Sequence, residues 1–137
     1  MINKIENWKD YQLLASRTDA NLDTELLNQL HPLMGLVTEV GELMDVFKKY
    51  VAYGKPIDLV NIKEELGDIN WYLGKFYRVL NIDQAEVLAI NINKLNARYK
   101  EKFSQDEALI RNLNEERAIL EQNLTSNFEN YICNPFF

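Results

Sequence analysis

Between residues 33 and 99 apolar side chains recur every three or four positions, and no stretch alternates apolar with polar residues as a half-buried strand does. At about 100° per residue the recurrence resolves into stripes. Leu33, Val37, Val40, Met44, Phe47 and Val51 make one, expected to be the packing face of its helix. Ile62, Leu66, Ile69, Leu73, Phe76 and Leu80 make a second, and Leu88, Ile92, Leu95 and Tyr99 a third. The expected fold is all-α, a helical bundle of about five helices.

Local signals set the boundaries. A first helix is expected over about residues 5–17, followed by a weaker turn over about 23–30. His31-Pro32 breaks the pattern, and Pro32 suits the first turn of the next helix. Gly54-Lys55-Pro56 stops that helix after Tyr53, and Asp58 caps a third that reaches Leu80. Asp83 with Glu86, and Ser104 with Glu107, read as capping boxes opening a fourth and a fifth helix. The end, "SNFENYICNPFF", is an aromatic tail. One domain is expected over residues 1–137, with a core at about 10–103 and the fifth helix and tail at about 104–137.

Composition narrows the function classes. With 47% hydrophobic and 26% charged residues the 137-residue chain is a globular protein with enough length for one core. A net charge of −6 argues against nucleic acid as a partner. The single cysteine, Cys133, excludes an internal disulfide framework and a thiolate metal cluster. The start, "MINKIENWKDYQ", lacks the apolar core of a signal peptide, and no run approaches membrane-spanning length, so a cytoplasmic protein without a membrane partner is expected. Asn123-Leu124-Thr125 fits a glycosylation sequon and is read as chance.

The two middle helices are apolar on more than one side. Besides its stripe, the second carries Val46, Tyr50 and Tyr53, and Trp71 points away from the stripe of the third. Such helices are normally covered on more than one side. A homo-oligomer, dimer or tetramer, with bundles completed between subunits is therefore expected.

Two acidic pairs interrupt these helices. Glu39 and Glu42 in "LVTEVGELMDVFKKY", and Glu65 and Asp68 in "EELGDINWYL", lie three residues apart, hence on one side of each helix. Each pair has a glycine, Gly41 or Gly67, just before its second acid; this removes bulk at a helix-propensity cost of about 1 kcal/mol. An antiparallel hairpin brings all four carboxylates together, where they repel unless protonated or neutralised by cations. Oxygen ligands without Cys or His favour Mg²⁺, with Mn²⁺ as a possible substitute. The bland alternative for either pair alone is a solvated face salt-bridged to Lys48, Lys49 or Lys63. Two pairs with the same internal glycine argue against it. A di-iron bundle needs Glu-x-x-His pairs, and the sole histidine, His31, lies in neither motif.

"TEVGELMDVFKK", "EELGDINWYL" and "NINKLNARYKEKF" resemble the successive motifs of the MazG-like, all-α nucleoside triphosphate pyrophosphohydrolases. "YQLLASRT" and "ALIRNLNEERAILE" resemble their short stand-alone bacterial and phage branch. The likeness covers about residues 10–122. It implies Mg²⁺-dependent hydrolysis of a (deoxy)nucleoside triphosphate to the monophosphate and pyrophosphate, in an oligomeric helical bundle that cleans the nucleotide pool. By motif match Glu39, Glu42, Glu65 and Asp68 become the metal ligands, and the Asn and Lys of "NINKL" correspond to Asn91 and Lys94. Cleavage at the α-phosphorus needs charge neutralisation, a positioned water and a stabilised pyrophosphate. Metal ions on the quartet supply the first two, and Glu42 or Glu39 is the candidate proton acceptor, a choice the sequence leaves open. Lys94 and Arg98, which share a flank with Asn91, suit the pyrophosphate, with Lys49 or Lys48 in reserve. Tyr72, one turn beyond Asp68, is a candidate sugar or base contact. Trp8, Trp71, Gln12, Arg17 and His31 are weaker candidates for the base pocket. The alternatives are phosphoribosyl-ATP pyrophosphohydrolase within the same fold and a non-catalytic metal- or nucleotide-binding dimerisation module.

Overall fold

A computed structural model describes residues 2, 4–99 and 102–122. Among these residues there are six α-helices, one 3-10 turn and no strand, as the apolar periodicity requires. The helices are α1 (Trp8–Ala15), α2 (Glu25–Tyr53), α3 (Leu59–Val79), α4 (Gln84–Arg98), α5 (Gln105–Leu109) and α6 (Leu113–Gln122), with the 3-10 turn at Ser16–Thr18. They fall into two compact units, Met1–Ile82 and Asp83–Phe137. The tail at 125–137, Cys133 and the sequon at Asn123-Leu124-Thr125 lie outside the described residues.

Pro32 does not open a helix. α2 is a single helix of 29 residues with Pro32 buried inside it. Its start is fixed seven residues earlier, where the Thr24 hydroxyl accepts the N–H of Leu27. The Asn28 amide then donates to the carbonyls of Leu22 and Thr24, tying the incoming loop to the first turn. Proline deprives Asn28 of its helical donor, but the helix is already nucleated by that point. Gly54, at φ 64°, ends α2 in the left-handed conformation that glycine tolerates, and its N–H reaches back to the carbonyls of Lys49 and Tyr50. Four residues later the Asp58 carboxylate accepts the N–H groups of Val60 and Asn61 and starts α3.

α2 and α3 form an antiparallel hairpin. The register is read from successive meetings: His31 with Lys75, Gly35 with Tyr72, and Glu42 with Glu65. This corrects the expected packing face of α2. Leu33, Val37, Val40, Met44, Phe47 and Val51, the stripe assigned to the core, are all exposed. α2 buries Pro32, Gly35 and Val46 instead, and α3 buries Glu65, Gly74 and Lys75. Within one chain the hairpin thus buries Val46, two glycines, Pro32, Glu65 and Lys75, while the α2 stripe stays uncovered and that of α3 is mostly half-covered.

Two glycines permit close approaches, Gly35 between α2 and α3 and Gly74 between α3 and α1. A Cβ on Gly35 would run into the Tyr72 ring, and one on Gly74 would fall 2.9 Å from Nε2 of Gln12. A Cβ added at Gly41 or Gly67 would meet nothing of this chain within 4 Å, so neither glycine is required by packing inside one subunit. α1 lies on α3 through the residues of the "YQLLASRT" opening. Tyr11 donates its hydroxyl to the Gly67 carbonyl at 3.4 Å, Gln12 accepts from Arg78, and Thr18 accepts from the Trp71 indole at 2.9 Å. Arg78 also grips Asp19 through two nitrogens, at 2.9 and 2.6 Å.

In the second unit Asp83 caps α4 through the N–H of Ala85, and Ser104 caps α5 through that of Glu107. The expected fifth helix is two helices. Asn112 accepts the N–H of Glu115 and restarts the chain as α6, a break consistent with the preference of Asn for caps over helix interiors.

Gly35→Ala is expected to destabilise the chain by about 1–3 kcal/mol, because the Tyr72 ring has to leave its place. Gly41→Ala is expected to cost nothing in the metal-free protein. Urea unfolding followed by circular dichroism compares the two.

Candidate metal centre

Folding the hairpin with its acidic side inward places carboxylates from both helices in one spot. Glu39, Glu42 and Glu65 each offer an oxygen, and these oxygens all lie within 4.8 Å of one another. Glu65 is 4% exposed, Glu39 is half-buried and Glu42 is exposed. Burial, reinforced by Glu42, Asp68 and Glu65, pushes the Glu39 carboxyl above its ordinary range, against a weak opposing bond from Thr38. Asp68, the fourth acid, is therefore close enough to act on Glu39, although it stands outside the tight trio. Its charge, after burial, also raises the Tyr11 hydroxyl.

Among the described residues no cation pairs with these charges: no salt bridge reaches Glu39, Glu42, Glu65 or Asp68. Lys48 and Lys49, the nearest expected partners, both pair with Asp45, at 3.6 and 2.7 Å. The Lys49 hydrogen bond holds the Asp45 carboxyl below its usual range, and Asp45 in turn raises Lys49. The solvated-face alternative therefore lacks the ion pairs it requires. An all-oxygen set that is crowded, partly dehydrated and short of positive charge fits a hard divalent cation.

The other expected site residues are distributed as follows. Lys49 lines an open pocket of about 410 Å³ with Thr38, Gly41, Glu42, Asp45, Asn61 and Glu65. Tyr72 sits against Gly35 and meets the His31 ring edge-on at 5.7 Å, within the hairpin. Trp8 packs edge-on against Tyr77, and Trp71 and Gln12 are engaged in docking α1. Arg17 is exposed. Asn91, Lys94 and Arg98 lie on α4 in the second unit. There the Arg98 guanidinium forks onto Glu116 at 2.9 and 2.6 Å, and Arg111 shares the same carboxylate.

Three polar contacts are not anticipated from the sequence. Asn61 donates its amide to Glu65 at 2.5 Å, a pairing legible in principle from the four-residue spacing. Thr38 donates to the Gly35 carbonyl at 2.8 Å and approaches Glu39 at 3.4 Å. Lys75, 1% exposed, donates to the Ala20 carbonyl at 2.8 Å and meets Nδ1 of His31 at 3.2 Å. No local pattern could have disclosed that last pairing, which joins α3 to a loop 55 residues away.

The family model described as the MazG nucleotide pyrophosphohydrolase domain matches residues 28–103, more than half of the chain and all of the acidic hairpin. The chain belongs to the MazG family. Its broad chemistry is accordingly that of a nucleotide pyrophosphohydrolase, and the all-α architecture agrees with the family. No curated protein and no solved structure matches it. Among the described residues no helix of this MazG protein is long and apolar enough to cross a membrane.

Two pH effects follow. A carboxyl whose pKa is raised on folding binds more protons in the native state, so the metal-free protein loses stability as pH rises above about 4.5 through the folded value of Glu39. Glu39→Gln is expected to raise the melting temperature at pH 7 without metal and to bring no gain at pH 4. Glu116 behaves oppositely. The Arg98 and then the Arg111 hydrogen bonds hold it down at about 2, so its contribution is complete above 4.5 and is lost as pH falls toward 2. Amide exchange in α6 should accelerate over that lower window, and Glu116→Gln should show fast exchange already at pH 7.

Proposed function

We propose that this protein hydrolyses a (deoxy)nucleoside triphosphate to the monophosphate and pyrophosphate with Mg²⁺, as a house-cleaning enzyme of the nucleotide pool. The observation that carries the reading is the trio of carboxylate oxygens within 4.8 Å across α2 and α3, with no ion pair from the described residues. Membership of the MazG family supports the reaction class.

In this reading Glu39, Glu42, Glu65 and Asp68 hold the cation. When bound there, a divalent ion neutralises the triphosphate and polarises the phosphoryl group under attack, and Mn²⁺ is expected to substitute. The chain's own groups do the rest. Glu42 is the most accessible carboxylate of the trio, which suits it to accept the proton of the attacking water. Lys49 borders the same pocket as Glu42 and Glu65, so its ammonium can reach the departing pyrophosphate by exchanging Asp45 for it. Asp45 keeps Lys49 charged and placed. Asn91 and Lys94 of α4 are assigned to the polyphosphate by their motif match. Arg98 joins them only by exchanging Glu116 for a phosphoryl oxygen. Tyr72 is assigned to the hairpin interior, where Gly35 makes room for it.

The working form is proposed to be a homo-oligomer. Val46 is the only large apolar side chain of the described residues that one chain fully buries. The α2 stripe leaves Val37 74%, Met44 63% and Val51 81% exposed. A continuous apolar stripe of this kind is the usual mark of a helix-pairing surface.

Incubation with a nucleoside triphosphate panel and Mg²⁺ should release monophosphate and pyrophosphate. Release of diphosphate and orthophosphate would contradict the assignment. Glu39→Gln and Asp68→Asn are expected to lower turnover on the order of a hundred-fold or more while leaving the helical spectrum intact. Val37→Glu with Met44→Glu should shift the sedimenting species to the mass of one chain.

A further inference from the structure

Glu65 is the most deeply buried acid of the centre and makes a single side-chain hydrogen bond among the described residues, from the Asn61 amide at 2.5 Å. Asn61 stands one turn earlier on α3 and lines the same 410 Å³ pocket as Glu42, Glu65 and Lys49. We infer that Asn61 is a positioning residue that aims the Glu65 carboxylate at the cation. This rests on the metal reading given above.

A buried carboxylate that serves as a metal ligand tolerates only certain donors. A lysine or arginine in the place of Asn61 would neutralise Glu65 and compete with a divalent ion for it. An amide donor has no charge. It fixes one oxygen of the carboxylate, leaves the full negative charge, and leaves lone pairs free on the side of Glu39 and Glu42. Thr38 offers Glu39 the same treatment more weakly, with a neutral hydroxyl at 3.4 Å. The hydrogen-bonding neighbours of these acids are therefore uncharged, whereas the nearby lysines are tied to Asp45. A buried carboxylate kept only for structure is poorly served by this arrangement, because a cation or an apolar replacement would relieve its dehydration better.

Groups that orient metal ligands typically account for about 10- to 100-fold in metal affinity. The test is a titration of the full chain with Mn²⁺ alone, counting free ion by electron paramagnetic resonance. Asn61→Ala is expected to weaken binding about ten-fold or more, whereas Asn61→Gln, which retains an amide of sufficient reach, should bind as the wild type does. Glu64→Gln, a charge change on the exposed neighbour, should also leave affinity unchanged. A purely structural Asn61 would move the metal-free melting temperature but not the Mn²⁺ affinity. Wild-type affinity in Asn61→Ala, or equal losses in the Ala and Gln variants, would overturn the assignment. Absence of Mn²⁺ binding in the wild type itself would instead overturn the metal reading, and this assignment with it.

Discussion

The meeting of carboxylates from α2 and α3 at one spot is the constraint on which the candidate site depends. Helical hairpins ordinarily close on apolar stripes, and this one has such stripes available. It leaves the α2 stripe exposed and brings Glu39, Glu42 and Glu65 together, with Glu65 almost fully out of water. Every carboxylate held this way costs stability unless positive charge arrives from outside the hairpin. Gly35 is the steric side of the same contact. It lets the Tyr72 ring of α3 approach the α2 backbone closely.

Asp45 engages Lys48 and Lys49 beside the pocket it lines with Glu42 and Glu65, and Asp19 engages Arg78 where α1 meets α3. Among the described residues only neutral donors, Asn61 and Thr38, hydrogen-bond to the acids of the trio. On α2 the exposed stripe of Leu33, Val37, Val40, Met44, Phe47 and Val51 lies away from Glu39 and Glu42, so the proposed oligomer interface on that helix does not use the acids.

What the sequence discloses depends on how local the cause is. Asp58, Asp83, Ser104 and Gly54 act on backbone groups within a few residues, and they end or begin helices where their positions imply. Pro32 points the wrong way because its rule describes a preference at a helix start, whereas Thr24 and Asn28 have already built that start. The break before α6 is hidden because Asn112 interrupts an otherwise helical pattern by one local bond. The packing face of α2 escapes the sequence for a deeper reason. Periodicity shows which side of a helix avoids water but not which molecule covers it, and here one chain leaves the α2 stripe exposed. That Glu39, Glu42 and Glu65 meet is legible, because spacing of three on two neighbouring helices places the acids on one side of each, whereas Asp68 stands outside the trio. The pairing of Lys75 with Ala20 and His31 is not, since nothing near Lys75 in sequence announces a partner so distant.

The most direct test of the metal centre is anomalous diffraction at the manganese edge from crystals grown with Mn²⁺ and a non-hydrolysable triphosphate. Such crystals should show a manganese peak between Glu39, Glu42 and Glu65, with triphosphate oxygens beside it. Manganese located only at other acids, or an empty hairpin whose carboxylates are turned to solvent, would contradict the proposed chemistry.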